Sequence, residues 1–126
     1  MRRPTTLAEV AALSDSRESF HGHLADFLDQ FYTERRAEML TEEPPVLEGQ
    51  IEEGAVADAY LAATAVHLAR LVKSVPPAWV WNANRKLHSP WFASRGNAVR
   101  ATLLAESPAA FRERNLFVSE NALSRA

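Results

Sequence analysis

The sequence predicts an all-α fold, a single compact bundle of five to seven helices formed by residues 1–126. Apolar residues recur at helical spacing along almost the whole chain, and no segment alternates apolar and polar residues as a half-buried strand would. The length of 126 residues suits one domain, since a chain of this size buries roughly two-thirds of its unfolded surface.

Two short capping patterns place the first helices. Thr6 and Glu9 form a capping-box pattern, which predicts a helix that begins there and ends near Leu13. Asp15 with Glu18 predicts the start of a second helix, in which apolar residues recur at i, i+4, i+7, i+8 and i+11. This stripe, which predicts packing on the core, consists of Phe20, Leu24, Phe27, Leu28 and Phe31.

The most regular apolar pattern lies in the middle of the chain. A short third helix is predicted over 35–40, before Pro44 and Pro45 break the chain. From 55 to about 73, apolar residues cover two neighbouring arcs of the helical wheel, which is typical of a helix surrounded by others. We therefore expect the helix 55–73 at the centre of the bundle.

The C-terminal half begins with an aromatic segment, 76–92, that holds all three tryptophans. A short helix is predicted over 77–81, with irregular chain after it, and a further helix over 97–105. Ser107 and Pro108 then suit the N-cap and the first position of another short helix.

Charge is divided unevenly along the chain, although the net charge is only −2. Residues 1–63 hold thirteen acidic and five basic side chains, whereas residues 64–126 hold three and nine. Between Arg36 and Arg70 there is no Lys or Arg, and this stretch contains Glu38, Glu42, Glu43, Glu48, Glu52, Glu53 and Asp58. The pattern suggests an acidic surface for a basic protein partner, the alternative being that the two halves pair with each other.

No conventional catalytic arrangement is visible, so we predict no catalytic residue, no cofactor and no metal ligand. His21 and His23 lie about 200° apart around a helix and cannot ligate one ion from it. His67 lies in an apolar stripe with Tyr60, where a hydrogen-bonded core histidine is the ordinary interpretation. The alternative is a small-ligand protein or enzyme centred on His67.

Composition favours a cytoplasmic protein. The absence of cysteine excludes disulfides and thiolate metal sites and fits a reducing compartment. The N-terminus lacks the apolar run of a signal peptide, and no run approaches the ~20 apolar residues that cross a bilayer. We therefore expect no membrane partner.

Aromatic and basic residues interleave between 79 and 100, as they do in proteins that bind single-stranded nucleic acid. The side chains that would form this surface, or a protein interface, are Trp79, Trp81, Arg85, Lys86, Trp91 and Arg95. Tryptophans near prolines are more often packing anchors, and a pI of about 6.1 does not fit a dedicated nucleic-acid binder. Nucleic-acid binding is therefore the second hypothesis.

Two segments carry a resemblance, PPAWVWNANRKLHSPWF at 76–92 and ESPAAFRERNLFVSENALSRA at 106–126. They resemble a group of small, poorly characterised bacterial proteins, in which a Pro-Ala-Trp-Val start leads to a Pro-Trp-Phe step, a Phe-Arg-x-Arg-Asn turn and a Leu-Ser-Arg ending. Such proteins are often encoded beside nucleotidyltransferase-like proteins in toxin–antitoxin-type gene pairs. The resemblance implies a helical antitoxin component and carries no catalytic residue over. Residues 81–84 depart from the acidic, proline-containing stretch expected there.

These observations favour a non-enzymatic protein-interaction module, the antitoxin or regulatory partner of a nucleotidyltransferase-like toxin. An enzyme that handles nucleotides or tRNA needs a basic cleft. An acidic surface could occupy such a cleft through electrostatic complementarity.

Overall fold

Helices make up most of the computed structural model, which describes residues 3–94 and 96–124. The described chain contains five α-helices, three short 3-10 helices and two strands of two residues each. The prediction of a helical fold is confirmed at this level. The α-helices are α1 Leu7–Leu13, α2 Arg17–Glu34, α3 Gly54–Leu71, α4 Asn97–Glu106 and α5 Ala109–Arg112, and the 3-10 helices are Ala37–Leu40, Ala78–Trp81 and Ala83–Arg85.

The first two helices begin at side-chain caps. Thr6 Oγ1 accepts a hydrogen bond from the Glu9 amide at 3.1 Å, which confirms the predicted cap of α1. The cap of α2 lies one residue later than the predicted position 15. Ser16 and Ser19 form it, because each hydroxyl accepts a hydrogen bond of 3.0 Å from the other residue's amide. The five-residue apolar stripe predicted on α2 is buried throughout, as expected.

Helix α3 is the most deeply buried element of the described chain. It contacts α5 and all three 3-10 helices, so elements from both halves of the sequence pack around it. Alanine side chains allow this close approach, and those that are fully buried include Ala59, Ala62, Ala63 and Ala65. The predicted buried helix over 55–73 is confirmed, with its ends at Gly54 and Leu71.

A short pair of parallel strands lies where irregular chain was expected. Strand β1, Trp91–Phe92, pairs with β2, Leu116–Phe117, and Trp91 lies opposite Leu116. The rings of Phe92 and Phe117 stack with their centroids 4.9 Å apart. Two residues are too few to show an alternating pattern, so the sequence predicts no strand at these positions.

Ser107 does not have the predicted role of a helix N-cap. Its buried hydroxyl donates to the Leu103 carbonyl at the end of α4 and accepts a hydrogen bond from the Val118 amide at 2.8 Å. Ser107 therefore ends α4 and connects it to the chain that follows β2. Pro108 occupies the N-cap position of α5, so the prediction for Ser107 is wrong.

Candidate functional site

Six of the seven carboxylates predicted to form an acidic surface are exposed. They lie in the acidic segment, defined here as residues 38–53, which leads from the 3-10 helix Ala37–Leu40 to α3. Its exposed members are Glu38, Glu42, Glu43, Glu48, Glu52 and Glu53. Asp58 is different, because it lies inside α3 with 0% of its surface exposed. The assignment of Asp58 to a partner-binding surface is therefore wrong.

Asp58 binds the backbone of the acidic segment from within the core. Its Oδ1 accepts a hydrogen bond from the Leu47 amide at 2.7 Å, and its Oδ2 accepts one from the Glu48 amide at 3.0 Å. Burial raises the pKa of the Asp58 carboxyl, while the two amides and the nearby Arg85 oppose this rise. One side chain of the central helix thus holds a turn of the acidic segment.

Arg85 is a second buried contact to the same segment. Its side chain is 0% exposed, and its Nη2 donates a hydrogen bond to the Pro44 carbonyl oxygen. Nη1 lies 3.6 Å from Asp58 Oδ1, and Nη2 lies 3.5 Å from Glu43 Oε2. The guanidinium carbon also lies 5.0 Å from the ring centroid of Trp79. These partners offset part of the cost of removing a charged group from water, although Nε and Nη1 of Arg85 have no hydrogen-bond partner among the described residues.

The backbone of the acidic segment packs so closely against the start of α3 that the residue at position 54 has no room for a side chain. A Cβ atom at Gly54 would lie 2.0 Å from the Leu47 carbonyl oxygen, far inside van der Waals contact. The same oxygen accepts a hydrogen bond from the Gln50 amide at 2.8 Å. The backbone of the segment is therefore held at Pro44, Leu47 and Glu48, while its carboxylates remain exposed.

The acidic and basic halves of the chain pair with each other only in part. Glu43 and Asp58 meet Arg85 from the basic half, so internal pairing applies to these two carboxylates. Glu53 pairs with Arg17, which belongs to the acidic half, at 2.7 Å. Four exposed carboxylates of the segment form no ion pair with any described residue, namely Glu38, Glu42, Glu48 and Glu52.

Trp79 and Arg85 are not available to nucleic acid. Both are buried, and they lie against each other in the core. Trp79 Nε1 donates a hydrogen bond to the Leu40 carbonyl at 3.1 Å, which is the partner that a buried indole needs. The prediction of a nucleic-acid surface is therefore wrong for these two side chains, which are packing anchors.

Of the remaining residues of that prediction, Trp81 and Lys86 line one shallow depression together with Arg114, whereas Trp91 lies in a different cleft. Trp81 is 60% exposed, and the guanidinium carbon of Arg114 lies 5.3 Å from its ring centroid. Lys86 is exposed. Trp91 is half-buried, and its indole N–H donates a hydrogen bond to the carboxylate of Glu53. Arg95 lies outside the residues that the structure describes.

His67 lines the His67 cleft, an open depression of about 430 Å³ that also contains Tyr32 and Arg35. The imidazole is half-buried rather than enclosed in the core as predicted. Burial lowers the pKa of His67, and the charge of Arg70 lowers it further. Tyr60 lines a different cleft, so the structure does not bring the predicted pair of His67 and Tyr60 into one site.

The second depression, the Trp91 cleft, has a volume of about 570 Å³ and lies between α2, the end of the acidic segment and β1. At its edge Arg17 Nη1 lies 2.7 Å from Glu53 Oε1, and Trp91 Nε1 donates to Glu53 Oε2 at 3.0 Å. The hydrogen bond from Trp91 contributes most to a lowered pKa of Glu53. Burial raises the pKa of Tyr60, which also lines this cleft, to about 12.

No protein-family model, curated protein or solved structure matches this chain. Within residues 3–94 and 96–124, no group of three or more His, Cys, Asp or Glu side chains is placed to hold a metal ion. Of the helices described, none combines the length and the apolar character needed to cross a membrane. The acidic segment and the two clefts are therefore the candidate functional features of the described chain.

Proposed function

We propose that this protein is a cytoplasmic, non-enzymatic interaction module whose acidic segment binds a basic protein. The proposal rests on one observation, the combination of a fixed backbone with exposed carboxylates. Asp58 and Arg85 hold the segment from inside the protein. The carboxylates left for a partner are Glu38, Glu42, Glu48 and Glu52.

The fixed backbone supports a binding role because it reduces the entropy that binding costs. A loop that is already ordered loses less conformational freedom when it docks than a flexible loop does. A carboxylate without an internal cation keeps its charge for a partner, and such charges accelerate association and select against partners of the same sign. Both properties fit a surface that recognises a complementary basic surface.

The partner that we propose is a nucleotidyltransferase-like toxin, which this protein would neutralise or regulate. The support for this step is the resemblance of residues 76–92 and 106–126 to proteins encoded beside such enzymes. The chemistry agrees, since an enzyme that binds nucleotides or tRNA concentrates positive charge in a cleft. An acidic segment of fixed shape could occupy that cleft in place of the phosphates.

The test is a charge-reversal variant of the acidic segment. Glu38, Glu42 and Glu48 are changed together to Lys, because all three are exposed and none forms an ion pair with a described residue. Binding to the purified product of the neighbouring gene is measured by calorimetry at about 0.05 M and about 0.5 M salt. We expect at least about a tenfold loss of affinity at low salt and a smaller loss at high salt, where charges are screened.

A matched control distinguishes a specific role of the acidic segment from a general effect of net charge on binding. Asp15, Glu18 and Glu120 are exposed residues outside the segment, and changing them to Lys alters the charge of the chain by the same amount. This control should keep the affinity of the parent within about threefold. An equal loss in both variants, or no loss in the first, would contradict the proposal.

A second candidate function, binding of a small anionic ligand, is favoured by the His67 cleft. Arg35 supplies a cation there and Glu120 a carboxylate, and the lowered pKa of His67 keeps its imidazole neutral and able to donate or accept a hydrogen bond at pH 7. The ring resonances of His67 are followed by NMR during addition of acetate, inorganic phosphate and nucleoside monophosphates. Saturable shifts of His67 alone would support this function, and unchanged resonances would exclude these ligands.

A further inference from the structure

Trp91 differs from the other two tryptophans in what lies over its ring. Arg85 lies 5.0 Å from the ring centroid of Trp79, and Arg114 lies 5.3 Å from that of Trp81. No arginine among the described residues lies over Trp91, whose side chain instead lines the Trp91 cleft. An indole face is the aromatic surface that attracts a guanidinium most strongly. Arginines of the chain itself therefore lie over the rings of Trp79 and Trp81, whereas Trp91 lines a cleft and has no such arginine among the described residues.

A carboxylate lies beside this indole and is fixed there. Glu53 Oε2 accepts the hydrogen bond from Trp91 Nε1, and the backbone of Glu53 has a φ of 57°. This is the left-handed region, which a residue with a side chain adopts only at a cost. The fold therefore keeps a charged oxygen at the edge of the cleft, beside the indole N–H of Trp91.

Apolar walls continue the cleft toward the core. A narrow crevice beside Glu53 and Trp91 is lined by Phe20, Ile51 and Val56. The combination of an apolar crevice, an indole face and a carboxylate matches one protein side chain best. Arginine has an apolar stem, and its planar cation both stacks on aromatic rings and binds carboxylates through two N–H groups.

We propose that the Trp91 cleft receives an arginine side chain of the partner protein, whose guanidinium binds Glu53 and stacks on Trp91. This inference rests on the proposed function and names the group through which the basic partner is recognised. In the free protein, Arg17 pairs with the carboxylate of Glu53 that the partner's arginine would bind. Its side chain is 47% exposed, and an exposed ion pair such as Arg17–Glu53 is weak enough to be exchanged for another.

The probe that tests the site is Nα-acetyl-L-arginine amide, with Nα-acetyl-L-citrulline amide as its uncharged counterpart of nearly equal shape. The indole N–H resonances of the three tryptophans are followed by NMR and assigned with single Trp→Phe variants. We expect the arginine amide to shift the Trp91 resonance saturably and to leave that of Trp79 unchanged, since Trp79 is buried. Equal shifts with the citrulline amide would overturn the inference.

Two variants test the roles of the charged side chains. Arg17→Ala removes the internal cation that competes for Glu53. It should therefore tighten binding of the arginine amide roughly two- to fivefold. Glu53→Gln should weaken it at least about fivefold, whereas Glu34→Gln, an exposed change at the far end of α2, should leave it unchanged. Thermal unfolding confirms that each variant is folded. Binding that is unaffected by Glu53→Gln, or no tighter with Arg17→Ala, would overturn the inference.

The inference and the proposed function can fail separately. If the arginine amide leaves Trp91 unchanged while the partner still binds through Glu38, Glu42 and Glu48, the arginine site is wrong and the proposed function stands. If the amide binds at Trp91 while the triple variant keeps its affinity for the neighbouring gene product, the proposed function is wrong and the arginine site stands.

Discussion

Asp58 and Arg85 meet inside the protein, with Oδ1 and Nη1 3.6 Å apart and neither side chain exposed. Each of them also binds the backbone of the acidic segment, at Leu47 and Glu48 through Asp58 and at Pro44 through Arg85. The cost of desolvating two charges cancels much of their attraction, so such a pair contributes little net stability. Its main effect here is to fix the segment on the core.

Asp58→Asn should lower the free energy of unfolding by roughly 3–5 kcal/mol, because it leaves the charge of Arg85 buried beside a neutral group. The change also replaces one of the two acceptor oxygens that bind Leu47 and Glu48. Urea denaturation measures the effect. Glu48→Gln is the control and should stay within about 0.5 kcal/mol of the parent. A loss below about 1 kcal/mol in Asp58→Asn would show that the pair does not hold the segment.

Gly54→Ala should destabilise the fold by roughly 2–3 kcal/mol, since the new methyl group would overlap the Leu47 carbonyl. Gly22 offers a matched control. It lies inside α2, and apart from the adjacent residues and the backbone of its own helix no atom lies within 4 Å of an added Cβ, so Gly22→Ala should stabilise the protein by about 0.5–1 kcal/mol. The two changes should therefore shift the urea midpoint in opposite directions. An unchanged or higher midpoint for Gly54→Ala would contradict the close packing at Gly54.

Trp81 should account for much of the fluorescence that acrylamide can quench. Its side chain is 60% exposed, whereas that of Trp79 is 6% exposed. Trp81→Phe should lower the quenching constant clearly, and Trp79→Phe should lower it little. The opposite order would place Trp79 at the surface and would revive the nucleic-acid hypothesis.

His67 should make the fold less stable as the pH falls below about 6.5. Burial lowers the pKa of His67 in the folded state, so the unfolded chain binds the proton more readily. The stability contributed by this group is present above the unfolded pKa and is lost as the pH falls through the folded pKa. His67→Gln should flatten the fall in unfolding free energy between about pH 7 and pH 5, measured by urea denaturation. An unchanged slope would contradict this assignment.

The helices could be predicted because their signals are local. The stripe on α2 and the apolar residues around α3 repeat every three or four positions, and a buried face requires this repeat. The strand pair of β1 and β2 could not be predicted in this way, because its pairing joins residues far apart in sequence and each strand contributes only two residues.

The contacts that fix the acidic segment depend on tertiary structure. Arginine is rarely fully buried, and nothing near Arg85 in the sequence distinguishes it from the exposed Lys86. Asp58 did carry a signal, since a single acidic residue in a helix that is apolar on most sides needs an internal partner. The contacts among Arg17, Glu53 and Trp91 could not be predicted from the sequence, because the three residues belong to separate elements of the fold.

The central claim, that the exposed acidic segment is the partner-binding surface, is tested most directly by hydrogen–deuterium exchange with and without the neighbouring gene product. We predict slower exchange within residues 38–53 and around Trp91 in the complex, and unchanged exchange in α4. Helix α4 is the appropriate comparison, because it lies outside the acidic segment and exposes two apolar side chains, Val99 and Leu104, that a partner bound mainly by apolar contacts would cover. Slower exchange in α4 with no change in the acidic segment would contradict the claim.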